Sequence, residues 1–193
     1  MNKEIIIASG NAGKIKEAQE ILEEYKIVSI NEVGCFIDVE EDQDTFEKNA
    51  LKKAKEISNA LGGKFCIADD SGIEVEYLNG FPGVYTKRWF DGTDRERNLA
   101  LIEKLKGVPK EKRKIKFTTA IAIASSENTY TAIASIEGYV TESPRGENGF
   151  GFDEIFELEN GKTLAELSSV EKNQIRSRKK ALEEIKNVLN CER

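Results

Sequence analysis

The run Glu4-Ile5-Ile6-Ile7-Ala8-Ser9-Gly10-Asn11-Ala12-Gly13-Lys14-Ile15 decides the fold class. Three successive isoleucines ahead of a polar loop read as a buried strand, too short and too β-branched for a helix. Behind the loop, Ile15, Ala18, Ile21 and Leu22 share one face of an amphipathic helix. Strand, small-residue loop and helix open an α/β unit. The loop has two readings. Free N–H groups at the helix start suit a phosphate, Gly10 and Gly13 allow close backbone approach, and Lys14 adds a full charge. Alternatively the segment is a polar cap without a ligand. Its glycine and lysine spacing is not that of a P-loop.

Outward from this unit, Asp44-Thr45-Phe46-Glu47 is a capping-box-like helix start. Phe46, Ala50, Ala54, Ile57 and Leu61 then recur at helical steps until Gly62-Gly63. Phe65 to Ala68 predicts a short strand running into Asp69-Asp70-Ser71-Gly72. Residues 73–77 predict another, closed by the turn Asn79-Gly80-Phe81-Pro82-Gly83. Residues 94–105 read as helix. Ile115, Phe117, Thr119, Ile121 and Ile123 alternate with Lys116, Thr118, Ala120 and Ala122, and residues 130–140 return after Ser126-Glu127-Asn128. The tail is helical, with Ile175, Leu182, Ile185 and Leu189 on one stripe. The expected architecture is mixed α/β: a central sheet with flanking helices and a long antiparallel hairpin in the middle.

The 193 residues make one domain, 1–193. The chain has no histidine, which removes Ser-His-Asp and Cys-His catalysis and histidine-ligated metals. Acid–base chemistry falls to Asp, Glu, Lys or Tyr, and a metal here would be a hard cation held by oxygen. Cys35, Cys66 and Cys191 read as free thiols in a reducing compartment. No apolar run approaches the ~20 residues of a membrane helix, and Met1-Asn2-Lys3-Glu4 lacks a signal-peptide pattern. A cytoplasmic protein with no membrane partner is expected. A net charge of −6 argues against duplex nucleic acid as a partner but not against a small polyanion.

Four further segments carry candidate chemistry. Asp69-Asp70, at the end of a predicted strand, can hold Mg²⁺ and take a proton from water, or form a solvated turn. Strand alternation sends the two carboxylates to opposite sides. The run Asp38, Glu40, Glu41, Asp42 and Asp44 is a solvated loop or contains a second metal ligand. Gly149-Phe150-Gly151-Phe152-Asp153 offers aromatics for stacking on a base or for core packing. Lys172 and Arg176, behind the capping-box spacing of Ser168 and Glu171, share a helical face that is solvated or binds an anion.

Together these segments resemble the nucleoside-triphosphate pyrophosphatase family that clears ITP, dITP and XTP from the nucleotide pool. The likeness follows the same order over nearly the whole chain. It rests on Ser9 to Lys14, Glu41 with Thr45-Phe46-Glu47, Asp70-Ser71-Gly72, Asn79 to Gly83, Phe150 to Asp153, and Glu171-Lys172-Asn173. The resemblance implies two lobes around a cleft, a homodimer, and Mg²⁺-dependent hydrolysis of a purine nucleoside triphosphate to monophosphate and pyrophosphate. By that likeness Ser9, Gly10, Asn11, Lys14, Lys53 and Ser71 hold phosphates. Glu41 (or Glu40) and Asp70 hold the metal, with Asp70 as proton acceptor. Phe150, Gly151, Phe152, Asp153, Lys172, Ser177 and Arg178 take the base and sugar.

One departure stands out. Where the family carries Ser-His-Arg, this chain has Arg176-Ser177-Arg178. Loss of the histidine predicts weakened or altered base selectivity. The rival readings are a nucleotide-binding or sensing module without turnover and, on the basic clusters, a nucleic-acid binder.

Overall fold

β1 (Lys3–Ile7) pairs in parallel with β2 (Tyr25–Ser29) on one side and with the start of β3 (Cys66–Val75) on the other. The computed structural model describes residues 3–191. Met1, Asn2, Glu192, Arg193 and the side chains of Lys3 and Cys191 lie outside the described set. α1 (Ala12–Ile21) connects β1 to β2, and α2 (Phe46–Ala60) leads into β3. There follow β4 (Phe81–Pro82), α3 (Asp94–Lys104), β5 (Lys114–Ala124), β6 (Thr129–Val140), β7 (Phe156–Glu157), α4 (Ser169–Ile175) and α5 (Ser177–Cys191). The sheet order is β2-β1-β3-β5-β6-β7, with β4 on β3. β5 and β6 are joined by four residues, a link that only an antiparallel pair permits. The β3–β4 and β6–β7 pairs are antiparallel too, so the sheet is mixed.

The chain forms two compact units. The first takes the stretches up to Ser71, Thr119–Ala134 and from Ser177 onward; the second takes Gly72–Thr118 and Ser135–Arg176. Each has its own core. In the first, Ile5 and Ile7 of β1 meet Ala18 and Leu22 of α1, Ile121 and Ile123 of β5, and Leu182, Ile185 and Leu189 of α5. In the second, Ile73 and Val75 pack with Leu101 of α3, Leu105 at its C-terminal end, Ile115, Phe152, Ile155 and Phe156.

Several expectations change in detail. The two strands predicted over 65–77 are one, β3, so Asp69 and Asp70 sit inside a strand. They nevertheless lie beyond its last pair with β1, Ile7↔Ile67, because β1 ends there and its chain leaves as a loop. α2 is capped by Thr45, whose side chain accepts from the Lys48 amide, instead of by a reciprocal box. Glu47 is free for other work and accepts from the Thr131 hydroxyl. In β5, Thr118 to Ala124 are all buried, since alanines fill the second face where solvent-facing residues would give clean alternation. The helical tail breaks at Arg176 (φ −56°, ψ 130°) into α4 and α5. Ile175 therefore packs in the second core while Leu182, Ile185 and Leu189 pack in the first. The break also removes the helical face shared by Lys172 and Arg176. β2 lies outside the predicted elements.

Ile185, fully buried in the first core, is a sensitive position. Ile185→Ala is expected to lower unfolding free energy by about 2–5 kcal/mol. Val170→Ala on the exposed face of α4 should stay within about 0.5 kcal/mol. Urea denaturation of both variants checks the contrast.

Candidate active site

The loop after β1 is shaped by its own side chains. Ser9 Oγ accepts from the Asn11 amide at 3.1 Å, and Asn11 Oδ1 accepts from the Gly13 and Lys14 amides at 2.9 and 3.2 Å. Asn11 is thus the N-cap of α1, and it answers two of the donors that an isolated helix start leaves open. Gly10 lies close under Asn31: a Cβ there would meet the Asn31 Nδ2 at 2.5 Å, so that side chain would have to shift.

Lys14, one turn into α1, reaches β3. Its Nζ lies 2.9 and 2.8 Å from the two oxygens of Asp69, and Arg178 Nη2 donates to the second of them at 2.8 Å. Arg178 Nη1 also faces Glu17 at 3.7 Å. The Asp69 side chain is 7% exposed. Burial alone would raise its pKa, but the charges of Arg178 and Lys14 outweigh it and hold the carboxyl down at about 2. Three elements, α1, β3 and α5, therefore meet at one carboxylate.

Asp70, on the other side of the strand, has neutral hydrogen-bond partners. Asn49 Nδ2 donates to Oδ2 at 2.9 Å and the Ser71 amide to Oδ1 at 2.8 Å. Burial pushes its pKa up; the Asn49 bond works against that, and the charge of Glu41 adds to the rise. Asn49 is itself oriented, its Oδ1 accepting from the Gln43 amide at 2.9 Å. Glu41 is half-buried, with Lys53 Nζ 3.2 Å from its Oε1. Glu40 is exposed, and its carbonyl accepts from Lys52. Of the two glutamates, Glu41 is the one whose charge acts on Asp70.

In the second unit, the aromatics of the Gly149–Asp153 loop have different environments. Phe150 is 73% exposed, whereas Phe152 is buried among Ile155, Phe156 and their neighbours. Asp153 Oδ2 accepts from Lys172 Nζ at 2.9 Å, and Lys172 also donates to the Asn148 carbonyl at 3.1 Å. Lys172 is 4% exposed. A Cβ on Gly149 would run into both Asp153 and Lys172, so only glycine fits.

The candidates thus fall into two sets. Ser9, Gly10, Asn11, Lys14, Glu41, Lys53, Asp70, Ser71, Ser177 and Arg178 belong to the first unit, and Phe150, Gly151, Phe152, Asp153 and Lys172 to the second. Arg178 stands beside Lys14 on Asp69. Ser177 is 2% exposed, with its hydroxyl 2.8 Å from that of Thr119, so its side chain is turned into the interior. Sequence reading singles out Asp69 without its partners, and it passes over Asn49. Asp69 gives no sign of which cations it meets, since both partners come from distant segments. Asn49 does leave a trace: it is a polar residue on the apolar stripe of Phe46, Ala50 and Ala54, and it is 1% exposed.

The Ham1 family model matches residues 5–188. The dITP/XTP pyrophosphatase of Bacillus licheniformis is 44% identical, covering 97% of this chain and 98% of that protein. The dITP/XTP pyrophosphatase of Clostridium perfringens is also 44% identical, over 97% of each. Among solved structures, the Staphylococcus aureus Ham1 protein superposes with a TM-score of 0.92 at 37% identity, covering 99% of this chain and all of that one. A HAM1 protein from Coxiella burnetii gives 0.90 at 36% identity, over 97% and 98%. Matched along nearly its full length in sequence and in fold, the chain belongs to the Ham1 family.

Proposed function

We propose that the chain is a nucleoside-triphosphate pyrophosphatase that hydrolyses dITP, ITP and XTP to the monophosphate and pyrophosphate. The observation that carries this reading is Asp70: a half-buried carboxylate fixed by Asn49 and the Ser71 amide, beside Glu41, with its pKa raised. The relatives named dITP/XTP pyrophosphatase support the same assignment.

The donor set fits a divalent metal. Among the described residues no three acidic or thiol groups gather as a cage, but Mg²⁺ is usually bound by one or two carboxylates together with substrate phosphates. Glu41 and Asp70 are such a pair; burial raises the Asp70 pKa most and the charge of Glu41 adds to it, and a cation would relieve both. When bound there, Mg²⁺ supplies charge neutralisation on the phosphate oxygens.

The chain's own residues supply the rest. Asp70 accepts the proton of the water that attacks the α-phosphorus. The bond from that phosphorus to the bridging oxygen breaks, and pyrophosphate leaves with that oxygen. Lys14 and Lys53 offset the charge on the leaving group. In the second unit, Phe150 offers a face for the base, and Asp153 with Lys172 forms a fixed polar pair beside it. The proposal extends to a homodimer in the cytoplasm, in keeping with the free thiols of Cys35 and Cys66.

Base selectivity is proposed to be looser than a fully donor-lined site provides, because the Ser177 hydroxyl is engaged with Thr119. A site that hydrogen-bonds its substrate can reject an analogue by about 10⁴–10⁵.

Three outcomes are expected. Asp70→Asn should lower turnover of dITP by at least ~10² while nucleotide still binds in calorimetry; near-normal turnover removes Asp70 from the chemistry. Chelation with EDTA should stop pyrophosphate release and added Mg²⁺ restore it, with Glu41→Gln needing more Mg²⁺ for half-maximal rate. The ratio of kcat/KM for dITP over dATP should fall below about 10⁴; a larger ratio means that other donors replace the lost one.

A further inference from the structure

α3 belongs to no part of the chemistry above, yet two of its residues reach the loop that presents Phe150. Asp94 Oδ2 accepts from the Gly151 amide at 2.9 Å. Asn98, one turn on, donates through Nδ2 to the Gly151 carbonyl at 2.8 Å and to Glu154 Oε1 at 2.9 Å. Arg95 holds the other oxygen of Glu154 at 3.3 Å. The two peptide groups that flank Gly151 are thus each tied to α3.

The loop needs such ties. Gly149 and Gly151 both adopt positive φ, +110° and +63°, on either side of Phe150. Glycines there give the backbone wide freedom, and an exposed ring on a free backbone has no fixed plane to offer a base. The other holds on the Phe150 backbone are long and lie within its own loop: its amide donates to Asp153 Oδ2 at 3.4 Å and its carbonyl accepts from the Asp153 amide at 3.3 Å. Asn98 is 1% exposed, and its Oδ1 is buried with no hydrogen-bond partner among the described residues. An amide retained there at that cost has its value in the NH₂ group, which makes both bonds.

We infer that Asp94 and Asn98 are positioning residues for base recognition, pinning the Gly151 peptides so that Phe150 stands as a pre-set stacking surface. This rests on the assignment of Phe150 to the base. It adds to the site two residues that touch no substrate.

Asp94 is the more accessible of the two for a test: its side chain is 53% exposed, and its ion-pair partner is Arg97, whose side chain is 15% exposed. Three readouts apply: kcat and KM for dITP, inhibition by inorganic tripolyphosphate, which has no base, and exchange of the Gly151 amide by NMR. Asp94→Ala should raise KM about three- to tenfold, the size of one lost hydrogen bond, with kcat nearly unchanged. Tripolyphosphate inhibition should not move, and the Gly151 amide should exchange faster. Asp94→Asn, which keeps an acceptor oxygen, should restore both KM and the Gly151 exchange rate. In a Phe150→Ala background Asp94→Ala should add nothing further. A full additional loss in that background, an equal loss of tripolyphosphate inhibition, or unchanged Gly151 exchange overturns the inference. Absence of pyrophosphate release from dITP by the unaltered chain sinks the hydrolase reading instead, and the exchange measurement still decides whether α3 holds the loop.

Discussion

The buried carboxylate of Asp69 is the constraint on which the first unit depends. It lies in a strand, is nearly shut off from water, and is bound by an ammonium from α1 and a guanidinium from α5. Removing both cations would leave a desolvated charge uncompensated, and breaking a buried ion pair in that way costs on the order of 3–5 kcal/mol. The contact therefore does more than add stability. It fixes where Lys14 stands, and with it the start of α1 and the loop whose amides precede it.

Its neighbour shows how one strand makes two chemistries from one residue type. Successive side chains on a strand face opposite ways. Asp69 turns toward two cations and ionises readily. Asp70 turns toward Asn49, and burial, with the charge of Glu41 adding to it, makes it hold its proton more strongly. The first is a structural anion. The second is a carboxylate suited to receive a cation and a proton. The second unit repeats the device in a smaller form, where Lys172 is buried but answered by Asp153 and a carbonyl, and Gly149 is kept bare to make room for both.

Much of this was legible in the chain. β1, α1 and the loop between them follow from the isoleucine run and the helical spacing behind it. The hairpin of β5 and β6 follows from alternation and a polar turn. The Ser168–Glu171 cap of α4 forms as its spacing implies. The misreadings share a cause. The apolar spacing of Ile175 with Leu182 runs across a helix break, because periodicity records which residues are apolar but not which core receives them. The strand end placed at Asp69 is a continuation, because whether a strand stops depends on its neighbours, and here it is β1 that stops.

By itself, then, the sequence determined the fold class, the residue types available for chemistry and their order along the chain, since these follow from local spacing and from the absence of histidine. Tertiary structure alone decided the pairings: Lys14 and Arg178 on Asp69, Asn49 on Asp70, Ser177 on Thr119, and Asp94 and Asn98 on Gly151. Each joins residues separated by 21 to 109 positions. A charge or a donor written in the sequence carries no record of its partner, and only burial, by making an unanswered polar group costly, selects which one it meets.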